Sequence, residues 1–187
     1  RSHIHLAKML GNIISYLIII FKFSCFPSNF FPYFFSTIFN LSGDNVEAKY
    51  HGNPDFIMAL FQVVFKHIVD KAKETSASET EDSNKAGRAV EAEKELLDKF
   101  RHVLKPFIAD KPKLQLAAVY ALQMSCNALF FPKGLLLRSF VNFYEMDIVD
   151  EHAFLQWKED VNETYPGKGK ALFQVHINPF TDLVFSF

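Results

Sequence analysis

The stretch NPDFIMALFQVVFKHI (residues 53–68) carries the pattern that decides the fold. Asn53 is suited to cap a helix, Pro54 fits the first helical position, and Asp55 complements the positive end of the helix dipole. Large apolar residues then recur at intervals of three or four, at Ile57, Leu60, Phe61, Val64 and Ile68. This spacing predicts an amphipathic helix with one buried stripe, which fades after Lys71.

Further helices are predicted downstream from the same kind of spacing. They cover residues 89–102, 113–127 and 135–144, and a fifth helix begins after the cap residue Asp150. Pro106 and Pro112 are expected to bound a short separate helical piece, and residues 171–175 form a final apolar turn. Residues 73–87 are polar and lack large apolar side chains, which predicts a flexible, solvated loop.

The length and pairing of these helices predict the fold class. Helices of 10 to 18 residues joined by short turns are typical of stacked antiparallel helical hairpins of the HEAT or armadillo type. The sequence of residues 44–175 contains no competing alternation of apolar and polar residues that would indicate strands. We therefore predict an all-α domain over residues 44–175, with the flexible loop inside it.

Residues 1–43 differ in composition from this domain. They hold three basic residues, no acidic residue and, between positions 21 and 39, eight of the 22 phenylalanines. Two interpretations stay open: a membrane-inserted segment, or non-native sequence such as read-through of non-coding sequence or a mispredicted gene start. Lys22 interrupts the apolar run before it reaches the roughly 20 residues that a spanning helix needs. Because the chain begins at Arg1, we expect it to be a fragment.

The charges and cysteines exclude several function classes. Residues 44–187 carry 17 Lys and Arg against 21 Asp and Glu, a net charge of about −4 that does not favour direct binding to nucleic acid. Cys25 and Cys126 are too few for a disulfide framework. No spacing of His and Cys predicts a metal site, and no nucleophile and base suggest an enzyme. The run at 167–170 (GKGK) lacks the spacing of a phosphate loop and reads as a basic turn.

The most informative segment is residues 140–160, in which rings and acids alternate. Its candidate residues are the aromatic Phe140, Phe143, Tyr144, Phe154 and Trp157 and the acidic Glu145, Asp147, Asp150, Glu151, Glu159 and Asp160. In one interpretation the rings pack inward and the acids form an ordinary solvated face. In the other, partly exposed rings and acids attract a lysine-rich peptide and hold its ammonium groups, with Trp157 as the anchor.

Three segments of the chain resemble a known family. FPKGLLLRSFVNFYEMDIVDEHAFLQWKEDVNETYPGKGKALFQV (131–175), LQLAAVYALQ (114–123) and, more loosely, residues 53–68 are similar to the two-tryptophan domain of the translation initiation factor 4 gamma 2 family. The resemblance covers about 53–175. It departs in residues 176–187, which contain no tryptophan where the family carries a second aromatic-acidic box.

The resemblance implies a HEAT-like, non-enzymatic and cofactor-free module of translation initiation, cytoplasmic and monomeric. It also implies partners: lysine-rich segments of the beta subunit of initiation factor 2, a MAP-kinase-interacting kinase, or both. The partner-binding residues it implies are Glu145, Asp147, Asp150, Glu151, Phe154, Trp157, Glu159 and Asp160. The alternative function, which rests on residues 1–43, is a membrane-anchored helical protein.

Overall fold

The computed structural model describes residues 52–77, 85–161 and 164–176, which form helices and connecting turns without a strand. The helices are α1 (Pro54–Ala77), α2 (Lys85–Ile108), α3 (Pro112–Ala128), α4 (Leu135–Glu145), α5 (Glu151–Glu159) and α6 (Lys168–His176). The apolar segment 1–43, the centre of the predicted loop and the segment 177–187 lie outside the described residues. None of the described helices is both long and apolar enough to cross a membrane.

The beginning of α1 follows the sequence prediction. The side-chain Oδ1 of Asn53 accepts a hydrogen bond from the backbone N–H of Asp55 at 2.8 Å, so Asn53 caps the helix and Pro54 occupies its first position. The predicted apolar stripe is buried, and its members are Ile57, Leu60, Phe61, Val64 and Ile68. The N-terminal boundary and the inward face of this helix are therefore confirmed.

Three predicted boundaries were wrong. Helix α1 continues to Ala77 and α2 already begins at Lys85, so the connection is shorter than residues 73–87. Helix α2 also passes through Pro106 and ends at Ile108. Pro106 lacks the N–H that would donate to the carbonyl of His102, so the last turn loses one hydrogen bond. Burial of Phe107 and Ile108 stabilises that turn.

Ring contacts show that α1 and α2 run antiparallel. Phe56, near the start of α1, lies 6.0 Å from Phe107 at the end of α2. His67, further along α1, lies 5.9 Å from Phe100, which is earlier in α2. Later positions of α1 thus contact earlier positions of α2, so the two helices form an antiparallel hairpin.

The hairpins stack on one another around α3. This helix contacts all five other helices, and its most extensive contacts are with α1 and α5. Helix α4 contacts α6, and it is joined to α2 by an ion pair. Helices α1, α3 and α5 thus form one layer and α2, α4 and α6 the other, which confirms the predicted all-α stack of hairpins for the described part of the chain.

The ion pair between α2 and α4 is largely removed from water. Arg138 Nε and Nη2 donate to the two carboxylate oxygens of Glu93 at 2.5 and 2.9 Å, and the Glu93 side chain is only 11% exposed. A two-bond guanidinium–carboxylate contact also fixes the relative orientation of the helices. By contrast, Lys66 and Asp70 form an ion pair on the surface of α1, with 69% and 44% of their side chains exposed.

We predict that Glu93→Gln destabilises the protein by about 2 kcal/mol, because Arg138 would keep its buried charge without a counter-charge. The matched control Asp70→Asn breaks an exposed pair and should cost less than about 0.5 kcal/mol. Urea unfolding followed by circular dichroism measures both values. Equal losses for the two variants would contradict the structural role given to the α2–α4 pair.

Candidate partner-binding surface

The turn between α4 and α5 places carboxylates on the surface. Asp147 adopts a positive φ of 51°, which Asp tolerates better than most residues. The N–H groups of Ile148 and Val149 donate to the carbonyl of Phe143 at 3.0 and 3.2 Å. Both of these apolar side chains are buried, so they hold the turn against the core while Asp147 stays exposed.

The predicted acidic residues lie between the end of α4 and the end of α5. Four of them run from the last residue of α4 to the first residue of α5 (Glu145, Asp147, Asp150 and Glu151), and two lie at the end of α5 (Glu159 and Asp160). We call these six residues the acidic surface. Since α5 has nine residues, its ends are about 13 Å apart. Glu151 and Asp160 are half-buried and the other four are exposed.

Two aromatic residues predicted to bind a partner are not on the surface. Phe154 and Trp157 are both 0% exposed, so the expectation of partly exposed rings was wrong for these residues. They lie three positions apart on the inner face of α5, together with Ala153. Phe140 packs against both, with ring centroids 5.0 Å from Phe154 and 5.0 Å from Trp157 in an edge-to-face arrangement.

Two glutamines of α3 hold α5 in place by hydrogen bonds. Gln123 Oε1 accepts a 2.7 Å hydrogen bond from the indole Nε1 of Trp157, and its Nε2 donates to the carbonyls of Tyr165 and Pro166 at 3.2 and 2.9 Å. Gln115 Nε2 donates to Asp150 Oδ2 at 2.7 Å, and its Oε1 accepts from the Asp150 N–H at 3.0 Å. Both glutamine side chains are buried, and the hydrogen bonds satisfy them there.

The sequence contained a signal for this pair that we missed. Gln115 and Gln123 are eight positions apart in a predominantly apolar helix, which places them on one side of it. The prediction that Asp150 precedes α5 is confirmed, since it is the N-cap residue. Its side chain, however, makes no capping bond to α5 and is used by Gln115 instead.

The end of α5 is held by a tyrosine of the same central helix. The hydroxyl of Tyr120 donates a short hydrogen bond to Asp160 Oδ2. Burial of the phenol, followed by this bond and the negative charge of Asp160, raises the pKa of Tyr120 far above its usual value. Tyr120 therefore stays a neutral donor at physiological pH, and Asp160 is fixed at the edge of the acidic surface.

A lysine of this chain lies on the Trp157 ring. The ammonium of Lys168 is 4.1 Å from the ring centroid of Trp157 and 5.6 Å from that of Tyr120, and it donates a short hydrogen bond to the backbone carbonyl of Trp157. Burial lowers the pKa of Lys168, and the nearby Asp160 carboxylate opposes this shift. Lys168 thus connects the start of α6 to α3 and α5.

Gly167 allows the chain to bring Lys168 to this place. Its φ is +88°, and a Cβ at this position would lie 2.6 Å from Oδ1 of Asn127 on α3. Only glycine combines this backbone conformation with so close an approach. The run at 167–170 was predicted as a basic turn, but only Gly167 precedes the helix, since α6 begins at Lys168 and continues to His176. The predicted turn at 168–170 and the separate final turn at 171–175 were therefore wrong.

Neither Cys126 nor a metal-binding cluster of described residues forms part of this site. Cys126 is completely buried, and burial raises the pKa of its thiol to about 12, so it remains protonated and packs as a small core residue. Within the ranges that the structure describes, no group of three or more His, Cys, Asp or Glu side chains is arranged to hold a metal ion.

Comparison with known proteins identifies the class. Residues 114–183 match the family model of the W2 domain, described as eIF4-gamma/eIF5/eIF2-epsilon. This match runs from the first turn of α3 through α6, and it extends eight residues beyond Val175. The fold of this part of the chain is therefore that of the W2 domains of translation initiation factors.

The particular family follows from the similar proteins. The chain is 42% identical over 140 residues to eukaryotic translation initiation factor 4 gamma 2 of Mus musculus and, at the same identity, to the proteins of that name in Homo sapiens and Bos taurus. The aligned part is 75% of this chain and 15% to 16% of the relatives' length. The chain belongs to the translation initiation factor 4 gamma 2 family.

The burial of the sole tryptophan, Trp157, predicts its fluorescence. Native protein should emit at short wavelength and resist quenching by acrylamide, and the emission should shift to longer wavelength on unfolding, because water then reaches the indole. The unfolded protein in urea is the internal reference for full access. Native quenching as strong as in urea would contradict the burial.

We predict that Gln123→Leu destabilises the protein by about 2 kcal/mol, although leucine has a similar volume. The substitution leaves the indole N–H of Trp157 and the carbonyls of Tyr165 and Pro166 without their partner. The control Gln156→Leu makes the same exchange at an exposed position of α5 and should change stability by less than about 0.5 kcal/mol. Urea unfolding followed by Trp157 fluorescence compares the two variants. An unchanged stability of Gln123→Leu would contradict the role given to the Gln123 hydrogen bonds.

Proposed function

We propose that this domain is a non-enzymatic protein-interaction module of translation initiation, and that its acidic surface docks a lysine-rich segment of another protein. Membership of the W2 family supports the kind of function. The observation that carries the docking site is the placement of six carboxylates at the end of α4, in the turn that follows it and at the two ends of the short helix α5. These negative charges attract a positively charged segment to the surface and orient it along α5.

Fixation of α5 supports this surface as a recognition element. Gln115 holds Asp150 at one end of the helix and Tyr120 holds Asp160 at the other. Carboxylates held in place lose less conformational entropy when a partner binds. Between them, α5 presents the exposed side chains of His152 and Gln156 to solvent, with the half-buried Leu155 and Lys158 beside them.

The aromatic residues have a different role in this proposal from the one that the sequence indicated. Phe154 and Trp157 support α5 from inside, because neither is exposed while Lys168 lies on the Trp157 ring. The partner's lysines are then recognised by charge at the carboxylates. One of these, Glu145, already forms an exposed ion pair with Lys94 at 3.1 Å, which a partner's lysine can replace at little cost.

The resemblance to the family indicates which partners would carry the positive charge that the acidic surface attracts. A lysine-rich segment of the beta subunit of initiation factor 2, or a MAP-kinase-interacting kinase, would supply the positive charge, and both are proposed here by resemblance. The proposal places the protein in the cytoplasm, where translation starts, and assigns the domain no direct contact with nucleic acid. It also takes the domain to bind as a monomer.

We predict that a lysine-rich peptide binds the protein and that binding weakens as salt rises, because the attraction is between exposed charges. Asp147→Lys and Glu159→Lys should each lower the affinity about fivefold, since they reverse a charge at either end of α5. Isothermal titration calorimetry at two salt concentrations measures both effects.

The control for this experiment is Glu91→Lys, which makes the same charge change at an exposed position on α2, outside the acidic surface. It should alter the affinity by less than about twofold. Binding that ignores both salt and the two reversals on α5 would rule out the acidic surface as the docking site, and so would an equal loss in Glu91→Lys.

A further inference from the structure

The ammonium group of Lys168 has the surroundings of a bound ligand. It lies 4.1 Å from the centroid of the Trp157 ring and 5.6 Å from that of Tyr120. It also donates to the Trp157 carbonyl at the end of α5. Aromatic faces and a carbonyl acceptor are the groups that recognise an ammonium ion, and a site shielded from water makes both interactions stronger.

The site is built by helices other than the one that carries Lys168. Tyr120 comes from α3 and Trp157 from α5, and each is held by its own contacts: Tyr120 to Asp160, and Trp157 to Gln123 and Phe140. Tyr165 packs on Tyr120 with ring centroids 4.5 Å apart. None of these contacts involves Lys168, so the walls of the site do not depend on the lysine that fills it.

The lysine can leave without unfolding its own turn. The turn is fixed by Gly167 against Asn127 and by the Gln123 hydrogen bonds to the carbonyls of Tyr165 and Pro166. The Lys168 side chain is half-buried and has a flexible four-carbon stem, which can rotate into solvent. Release of the ammonium group therefore breaks the contacts of that group and leaves the backbone in place.

The site also adjoins the acidic surface. Asp160 belongs to that surface, accepts the hydrogen bond from Tyr120, and acts electrostatically on Lys168. A basic segment lying along α5 would therefore bring its own ammonium groups to the entrance of a site already shaped for one. The fully buried Trp157 ring is accessible to such a group only when Lys168 has moved away.

We propose that Tyr120, Trp157 and the Trp157 carbonyl form a binding site for an alkylammonium group, which the chain's own Lys168 fills as an internal ligand. A lysine of a bound partner competes with Lys168 for this site, so Lys168 limits the affinity of the acidic surface. The competition rests on the proposed docking of a lysine-rich segment, whereas the ammonium site itself does not.

Chemical rescue tests the ammonium site without any partner. Lys168→Ala removes three carbons and the ammonium, which are the atoms of n-propylammonium. The variant should melt at a lower temperature, and n-propylammonium should raise its melting temperature by about 3 °C more than it raises that of the wild type. The neutral analogue 1-propanol should give no such rise, because it lacks the charge that the rings attract.

The matched control is Lys133→Ala, which removes an exposed lysine from the turn before α4. It should respond to n-propylammonium as the wild type does. Equal rises in all three proteins, or an equal effect of 1-propanol, would overturn the ammonium site. If Lys168→Ala fails to fold, Lys168→Met keeps the stem and removes only the ammonium. A melting temperature of Lys168→Met no lower than that of Lys133→Met would then overturn the ammonium site.

The competition is tested with a lysine-rich peptide and Lys168→Met. We expect this variant to bind about tenfold more tightly than the wild type and to change its Trp157 fluorescence on binding, because the peptide's ammonium then reaches the ring. The wild type should show a smaller fluorescence change. Lys133→Met is the control for removing one positive charge and should bind as the wild type does.

The outcomes separate this inference from the proposed function. Peptide binding to the wild type that is lost in Glu159→Lys but unchanged in Lys168→Met would keep the docking surface and overturn the competition. Rescue by n-propylammonium without peptide binding to any variant would keep the ammonium site and overturn both the docking and the competition. Tighter binding in Lys168→Met and Lys133→Met alike would also overturn the competition, since charge alone would explain it.

Discussion

The hydrogen bonds from Gln115 and Gln123 of α3 to α5 are the interaction on which the rest of the site depends. Helix α5 has only nine residues, too few to be stable alone in water. Gln115 binds the N–H and carboxylate of Asp150 at its start, and Gln123 binds the indole of Trp157 near its end. Burial of Trp157 and Phe154 then adds the apolar contribution that holds the helix to the core.

This arrangement separates the groups that stabilise the domain from the groups available to a partner. The inner face of α5 consists of rings and their buried hydrogen bonds, which substitutions can hardly change without loss of stability. The ends of the helix also carry exposed carboxylates, and replacement of one such as Glu159 costs little stability. Affinity for a basic partner can therefore vary at such a position while the fold is preserved.

The pattern of apolar residues predicted the fold because helix periodicity and caps are local properties of the sequence. The cap at Asn53, the inner stripe of α1 and the paired helices were all visible in this way. Helix ends were less predictable, since tertiary burial of Phe107 and Ile108 carries α2 through Pro106. Tertiary packing, which the local sequence does not reveal, can therefore outweigh the helix-breaking effect of a proline near a helix end.

The acidic residues of the candidate site were also visible in the sequence, but the exposure of its rings was not. A tryptophan flanked by charges looks the same in sequence whether its ring faces solvent or the core. The decisive partners of Trp157 are distant along the chain: Gln123 lies 34 positions before it and Lys168 lies 11 after it. Only the folded chain brings these groups together.

The central claim is that a basic partner meets the carboxylates at the ends of α5 while Trp157 remains inside. Amide NMR spectra recorded during titration with a lysine-rich peptide test it most directly. The account predicts that the largest shifts occur at Asp147, Asp150 and Glu159, and that the indole N–H signal of Trp157 moves little in the wild type. Shifts concentrated on α1 and α2, with α5 unchanged, would contradict it.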